Sequence, residues 1–303
     1  MIYTITGATG NIGSRLAELL LEAGHAVRVI GREAGRLEAL VTKGAKAYLG
    51  DIADTGFLTR AFAGSDAVFA MLPSQYRAED VYAAQARNRE SLVAALQASG
   101  VSHVVALSSI GADQPSGTGI VATLRDFEQG LASLTDTQIK FLRPGFFLEN
   151  LFNQLPVIRN AGIVATSVEP DKPIPMVATR DIAAAAAKFL LARDFTGHSV
   201  QYLLGARDYT FPQATELLGR ALDKPQLSYV QIPYLDESNA LVQAGLSLST
   251  AEALSELNRG VNTGALLKDV RRSPENTTPT SLEDFLPVLV AAYQGAGLVG
   301  AHS

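Results

Sequence analysis

The sequence predicts a doubly wound, parallel α/β sheet carrying a smaller, mostly helical carboxyl-terminal lobe. Three observations predict it. Short β-branched runs alternate with helical patterns through the first half of the chain. A glycine-rich loop joins the first such run to the first helical pattern. After Pro144 the alternation loosens into helical segments broken by prolines. Alternation at this spacing gives a parallel sheet covered on both faces, whose strands read as continuous apolar runs. Right-handed crossovers then wind the sheet outward from its centre and leave ligand sites at the carboxyl ends of the strands.

The first strand is read at residues 1–6. Asn11 to Ala23 follows as a helix whose apolar positions Ile12, Leu16, Leu19 and Leu20 share one face. A strand at Ala26 to Ile30, a helix at Ala34 to Thr42 and a strand at Ala45 to Leu49 come next. A short helix at Thr55 to Phe62 leads to a strand at Ala67 to Ala70. The long helix Glu79 to Ala98 stops at Gly100, and His103 to Leu107 is the fifth strand. A helix over Ile120 to Leu134 and a strand over Ile139 to Leu142 complete the alternation. Residues 1–150 are therefore assigned to the sheet domain, with later contributions from about 176–205 through the helix Ile182 to Leu191 and the strand Gln201 to Leu204. Pro170, Pro173 and Pro175 mark a loop before them. Residues 206–303 are assigned to the smaller lobe, a substrate or partner lobe broken at Pro212, Pro225, Pro233, Pro274, Pro279 and Pro287. The small, Gly-rich end from Gly295 to Ser303 is expected to fray.

Composition narrows the function classes. The chain has 303 residues, 47% of them hydrophobic and 18% charged, which supports a large core and argues against disorder. A net charge of -5 without a basic block argues against general nucleic-acid binding. The absence of cysteine excludes disulfides, thiol nucleophiles and thiolate metal sites, and fits a cytoplasmic protein. The four histidines, His25, His103, His198 and His302, lack metal-ligand spacing, so no metal is expected. No stretch reads as a signal peptide, and Ile182 to Leu191 is too short to span a bilayer, so no membrane role is expected.

The loop Gly7-Ala8-Thr9-Gly10-Asn11-Ile12-Gly13 carries the strongest chemical signal. It follows a strand and opens an amphipathic helix. Glycines there permit a tight turn, bare backbone beside a pyrophosphate, and close helix packing. The helix start offers free N–H groups and a favourable dipole to phosphates. This is the phosphate loop of a Rossmann-type dinucleotide site, spaced GxxGxxG. The second strand then runs into Gly31-Arg32, where NAD-binding proteins usually place an acid for the ribose 2′-OH. A guanidinium suits a 2′-phosphate instead, so NADP (as NADPH) is the expected cofactor. Arg36 lies one helical turn on, either within reach of that phosphate or on a solvated face; Glu33, which could instead accept from a 2′-OH, is read in the first turn of the helix. Asp51 and Ile52 follow the third strand and approach the adenine, with a helix-cap role as the alternative for Asp51. Met71, Leu72 and Pro73 end the fourth strand and should pass over the adenine ribose and phosphates, or simply pack in the core.

Taken in order, several segments resemble the NmrA-like family of atypical short-chain dehydrogenase/reductases. They are the loop from Thr6 to Gly13, Gly31-Arg32, Gly50-Asp51, Ser108 to Ala112, Leu142 to Asn150, and Pro173 to Ile182; Asn88 on the long helix also matches. The resemblance implies NAD(P)H binding on a Rossmann fold. It also implies one of two activities: reduction of quinones or other small electrophiles, or redox sensing without turnover and with a protein partner.

Typical short-chain reductases use Tyr-x-x-x-Lys as acid and support. None of the nine tyrosines has a lysine four residues later. That argues against an ordinary alcohol dehydrogenase, and with Arg32 against an epimerase holding NAD. It leaves a quinone-type reductase possible, because solvent can protonate the product. Arg125 falls near the expected pair, either holding the nicotinamide ribose and stabilising negative charge or pairing with Asp126 or Glu128 on the surface. Ser108 and Ser109 end the fifth strand and either could bond a substrate carbonyl or simply terminate the strand; Ser109 is the candidate for the substrate, and Ser108 for the cofactor. Pro144, Gly145 and Phe146 are placed against the nicotinamide. Phe147, Asn150 and Tyr76 are placed around a flat acceptor, while core packing is the commoner use of Phe146, Phe147 and Phe152. The expected partner is a small acceptor such as a quinone, and the oligomeric state is left open, with a homodimer as one option.

Overall fold

The computed structural model describes residues 1–295. The predicted fraying of Gly295 to Ser303 lies, beyond Gly295 itself, outside the described residues. The chain runs β1 (Ile2–Ile5), α1 (Asn11–Glu22), β2 (Ala26–Gly31), α2 (Ala34–Thr42), β3 (Lys46–Leu49), α3 (Thr55–Phe62), β4 (Ala67–Ala70), α4 (Val81–Ser99) and β5 (His103–Leu107). A 3₁₀ turn at Gly119–Val121 leads into α5 (Ala122–Ala132), then β6 (Gln138–Pro144) and β7 (Phe146–Phe147). A second 3₁₀ stretch, Leu148–Gln154, precedes α6 (Leu155–Ala161), β8 (Ile163–Thr166), β9 (Ile174–Val177), α7 (Thr179–Ala192) and β10 (His198–Leu203). The remainder is β11 (Asp208–Tyr209), α8 (Phe211–Ala221), β12 (Ser228–Gln231), α9 (Tyr234–Gln243), α10 (Leu248–Asn262) and α11 (Leu282–Tyr293).

Seven strands form one sheet in the order β10-β6-β5-β4-β1-β2-β3, and every pairing in it is parallel. The order reverses at β1, which pairs with β2 on one side and β4 on the other. That reversal opens the crevice in which ligands of such sheets sit. One face buries Leu16 and Leu20 of α1, Leu37 of α2 and Ile182 and Leu190 of α7. The other buries Leu58 of α3, Leu92 and Leu96 of α4 and Phe127 and Leu131 of α5. Each buried Leu or Phe contributes about 1.5–3 kcal/mol of transfer free energy, so the two covered faces hold the sheet rigid beneath its loops.

A third core joins residues 148–178 to 209–292, with Leu151, Ile158, Met176, Tyr209, Phe211, Phe285 and Leu289 at its centre. The lobe is mostly helical and includes two small sheets, β11-β9-β7 and β12-β8. Two proline readings need correction. Pro175 lies inside β9 rather than in a loop, tolerated because its antiparallel partner β11 is only two residues long and requires few ladder bonds. Pro287 lies inside α11 rather than breaking it. The helix around it buries Phe285 and Leu289, and that packing outweighs one lost backbone hydrogen bond.

Candidate functional site

The turn after β1 is built to leave a helix start bare. Gly7 sits at φ +65°, and a Cβ there would lie 2.2 Å from Met71 Sδ. A Cβ on Gly13 would lie 2.3 Å from the Gly7 carbonyl oxygen, so the first turn of α1 packs directly on the loop. Gly10 N donates to Gly7 O at 3.1 Å and closes the turn. Thr6 is fully buried and fastens it from below: its hydroxyl accepts from Met71 N at 2.8 Å. Gly10 caps α1 without any side-chain hydrogen bond, and the N–H groups of Asn11, Ile12 and Gly13 have no partner among the described residues. Gly10 is different from its neighbours. Its φ is -94°, and a Cβ there would touch only Gly7 O, at 3.5 Å. Neither backbone strain nor crowding by the chain requires glycine at this position; close approach by another molecule would. Bare N–H groups and an open cradle at a helix start fit the phosphates of a dinucleotide.

The end of β2 lies beside this turn. A Cβ on Gly31 would meet Leu37 Cδ1 at 3.0 Å, so glycine serves close packing of β2 on α2. Arg32 and Arg36 are both exposed, and neither has a carboxylate partner among the described residues. Glu33 is the N-cap of α2, not part of its first turn, and its side chain caps nothing. Asp51 accepts from Ala53 N at 2.9 Å in a local turn; the cap of α3 is Asp54, which accepts from Phe57 N. The cap alternative for Asp51 is thus corrected: an extra residue pair separates it from the helix. Ile52 is half-buried against the sheet core, as is Met71 beside Gly7; Leu72 is buried. Gln85 of α4 donates to Pro73 O at 3.0 Å, and the buried Asn88 amide nitrogen one turn on has no partner among the described residues.

The carboxyl ends of β5 and β6 hold a charged network. Ser108 is buried and donates to Glu128 Oε1 at 2.5 Å. Arg143 grips the same carboxylate with Nε at 2.9 Å and Nη2 at 2.6 Å. Its Nη1 reaches Tyr202 OH at 3.1 Å and Asp113 Oδ1 at 3.4 Å. The Glu128 carboxylate beside it holds the Arg143 guanidinium above its ordinary pKa, overcoming the opposing effect of burial. Glu128 is therefore spoken for by Arg143, and Asp126 by Arg89 at 3.2 Å. Arg125 pairs with neither, which corrects the surface-pair alternative. It is half-buried on α5, one turn nearer the carboxyl edge than Glu128. Ser109 is half-exposed, and its hydroxyl has no partner among the described residues.

Pro144 O accepts from Ile110 N at 3.1 Å, joining the β6 end to the β5 loop. A Cβ on Gly145 would lie 2.3 Å from Pro175 O, so the bend after β6 packs on β9. Phe146 meets Phe211 edge-on at 5.9 Å between ring centres, and Phe152 packs near Phe285 at 5.9 Å. Both rings thus join the lobe core, and Phe147 packs on the sheet core, although Phe146 and Phe147 each keep part of their surface exposed. Asn150 is exposed, as is Tyr76, whose carbonyl accepts from Ser247 N at 2.9 Å and ties the β4 loop to the lobe. Burial pushes Glu149 above the usual carboxylate range, and it accepts from Thr179 N at 3.1 Å and Thr179 Oγ1 at 2.5 Å, at the start of α7. Sequence reasoning missed the Glu128–Arg143 pair. Its signal was Glu128 falling on the apolar face defined by Phe127 and Leu131.

Sheet order and loop geometry define a Rossmann-fold protein. The pattern of the NmrA-like family matches residues 2–286, and the chain belongs to that family. It is 30% identical over 262 residues to (4-alkanoyl-5-oxo-2,5-dihydrofuran-3-yl)methyl phosphate reductase of Streptomyces griseus, covering 86% of this chain and 87% of that one. It is 29% identical to NAD(P)H azoreductase of Xenophilus azovorans, covering 84% and 85%. Its fold superposes on the NADPH complex of the NADPH-dependent quinone oxidoreductase QOR2 of Escherichia coli with a TM-score of 0.82 and 26% identity, covering 95% of this chain and 99% of that one. Among the described residues, no helix is long and apolar enough to cross a membrane.

Proposed function

We propose that this chain is an NADPH-dependent oxidoreductase that reduces a small, planar, quinone-like acceptor. The carrying observation is the uncapped start of α1 above the open Gly10 cradle, with Arg32, unpaired among the described residues, beside it. The N–H groups of Asn11, Ile12 and Gly13 would bind the pyrophosphate, with Gly7 and Thr9 shaping the loop. Arg32 would pair with the 2′-phosphate, with Arg36 as a second cation. Asp51, Ile52, Met71, Leu72 and Pro73 would flank the adenosine half. Ser108, Pro144, Gly145 and Phe146 would wall the nicotinamide. A bound reduced nicotinamide supplies the hydride. Ser109 offers a free hydroxyl to a substrate carbonyl, and Arg125 a cation to the negative charge that develops there. Tyr76, Phe147 and Asn150 would bound the acceptor. No Tyr-x-x-x-Lys pair is present to give the one proton that completes the reduction after hydride transfer, and a quinone-type product would take it from water.

Support comes from relatives whose names are those of reductases, two of them naming NAD(P)H or NADPH. The absence of cysteine is in keeping with a reducing compartment, and the cytoplasm is the proposed location. The test is consumption of NADPH with a panel of quinones and azo compounds. Turnover with at least one acceptor is expected. Tight NADPH binding without turnover on any of them would overturn the enzyme reading and favour a redox sensor.

A further inference from the structure

We propose that Glu128 and Arg143 form a buried positioning device that aims the β5 loop, and with it the Ser109 hydroxyl, at the acceptor. The proposal rests on the reductase reading above and names what holds its acceptor side in place. A carboxylate only accepts hydrogen bonds, so the contact with Glu128 consumes the single proton of Ser108. Ser108 then has no donor left for a substrate carbonyl. Consecutive residues of an extended segment point to opposite sides. The bonds from Ser108 N to Leu142 O and from Ile110 N to Pro144 O extend the β5 ladder across this segment, which puts Ser109 on the side opposite Ser108; it is the half-exposed hydroxyl of the two, without a partner among the described residues.

The network ties together four segments of backbone near that hydroxyl. Ser108 lies just past β5, Glu128 on α5, Arg143 on β6, Tyr202 on β10 and Asp113 on the loop beyond Ser109. Backbone bonds from Ser108 N to Leu142 O at 2.8 Å and from Ile110 N to Pro144 O at 3.1 Å bracket Ser109. Arg143 thus fixes both sides of the Ser109 segment, from Glu128 below and Asp113 beyond. Buried ion pairs seldom stabilise more than apolar residues of the same volume would, because desolvation offsets the attraction. Stability alone does not account for a carboxylate, a guanidinium and a second acid under this loop. Geometric specificity does: a planar bidentate pair fixes orientation as well as distance.

The test uses four variants of the full chain: the apolar pair Glu128→Met with Arg143→Met, Glu128→Gln, Ser109→Ala, and Glu128→Gln combined with Ser109→Ala. NADPH affinity is read by nucleotide fluorescence, and kcat and KM with the best acceptor separately. NADPH affinity is expected to stay within about threefold throughout. The apolar pair and Glu128→Gln should each lower kcat at least about tenfold. The combined variant should be no worse than Ser109→Ala alone, because the pair acts through that hydroxyl. If the apolar pair does not fold, Glu128→Gln and its combination with Ser109→Ala decide the matter. Multiplying losses in the combined variant, or kcat within twofold of wild type in either pair variant, would overturn the proposal. Failure of the unaltered chain to turn over any acceptor would instead remove the reductase reading.

Discussion

The two sides of the crevice are made differently. The proposed dinucleotide side is local: β1, its glycine turn and the start of α1 lie within Ile2–Glu22, and it offers backbone N–H groups. The proposed acceptor side is assembled: Ser108 and Asp113 come from the loop after β5, Glu128, Arg143 and Tyr202 from three secondary-structure elements, and side-chain charges hold them. A backbone site tolerates little change in the residues that shape it. A side-chain site is adjustable, which suits a family whose relatives carry different acceptors in their names.

The comparison can be broken most severely at the glycine turn. Gly13→Val would drive a side chain into the Gly7 carbonyl, which a Cβ alone would approach to 2.3 Å. The expected cost is on the order of 4 kcal/mol, read as loss of NADPH binding together with a lower thermal midpoint. Arg143→Ala should come next. Removing one partner of a buried pair costs about 3–5 kcal/mol, seen in denaturant unfolding; a loss under about 1 kcal/mol would show that the network is not closed to water.

Arg32→Ala follows. Charge-assisted hydrogen bonds contribute about 1.5–3 kcal/mol, so NADPH affinity should fall roughly ten- to a hundredfold while NADH affinity hardly moves. Equal losses would mean that Arg32 does not read the 2′-phosphate. The smallest effect lies away from the crevice, at the amino end of β5. Burial, aided by the Arg193 charge, pulls His103 below the usual histidine range. The unfolded chain therefore takes up this proton first. Stability should be unaffected above about pH 6.5 and fall as pH drops below it, towards the lowered value in the folded chain. His103→Gln should flatten that part of the pH–stability curve, and an unchanged slope would assign it elsewhere.

The same contrast explains what the sequence made legible. The helices at Ala34–Thr42 and Thr55–Phe62 and the strands at Ala67–Ala70 and His103–Leu107 match the reading to the residue, because a βαβ unit writes its periodicity into adjacent residues. Residues 146–178 did not announce their strands. β7 is two residues long, its partner Met176 lies thirty positions from Phe146, and Pro175 reads as a breaker. The Glu128–Arg143 contact spans fifteen residues and two elements, and no local pattern reports which acid meets which guanidinium. Gly10 and Arg32 could be singled out for the opposite reason: the roles proposed for them depend on neighbours in the chain.

The most direct test of the central claim is a binding titration of the purified chain with NADPH and with NADH, followed by nucleotide fluorescence. The account predicts saturable binding of both, with NADPH tighter by at least about tenfold. Equal affinities, or binding of neither, would contradict it.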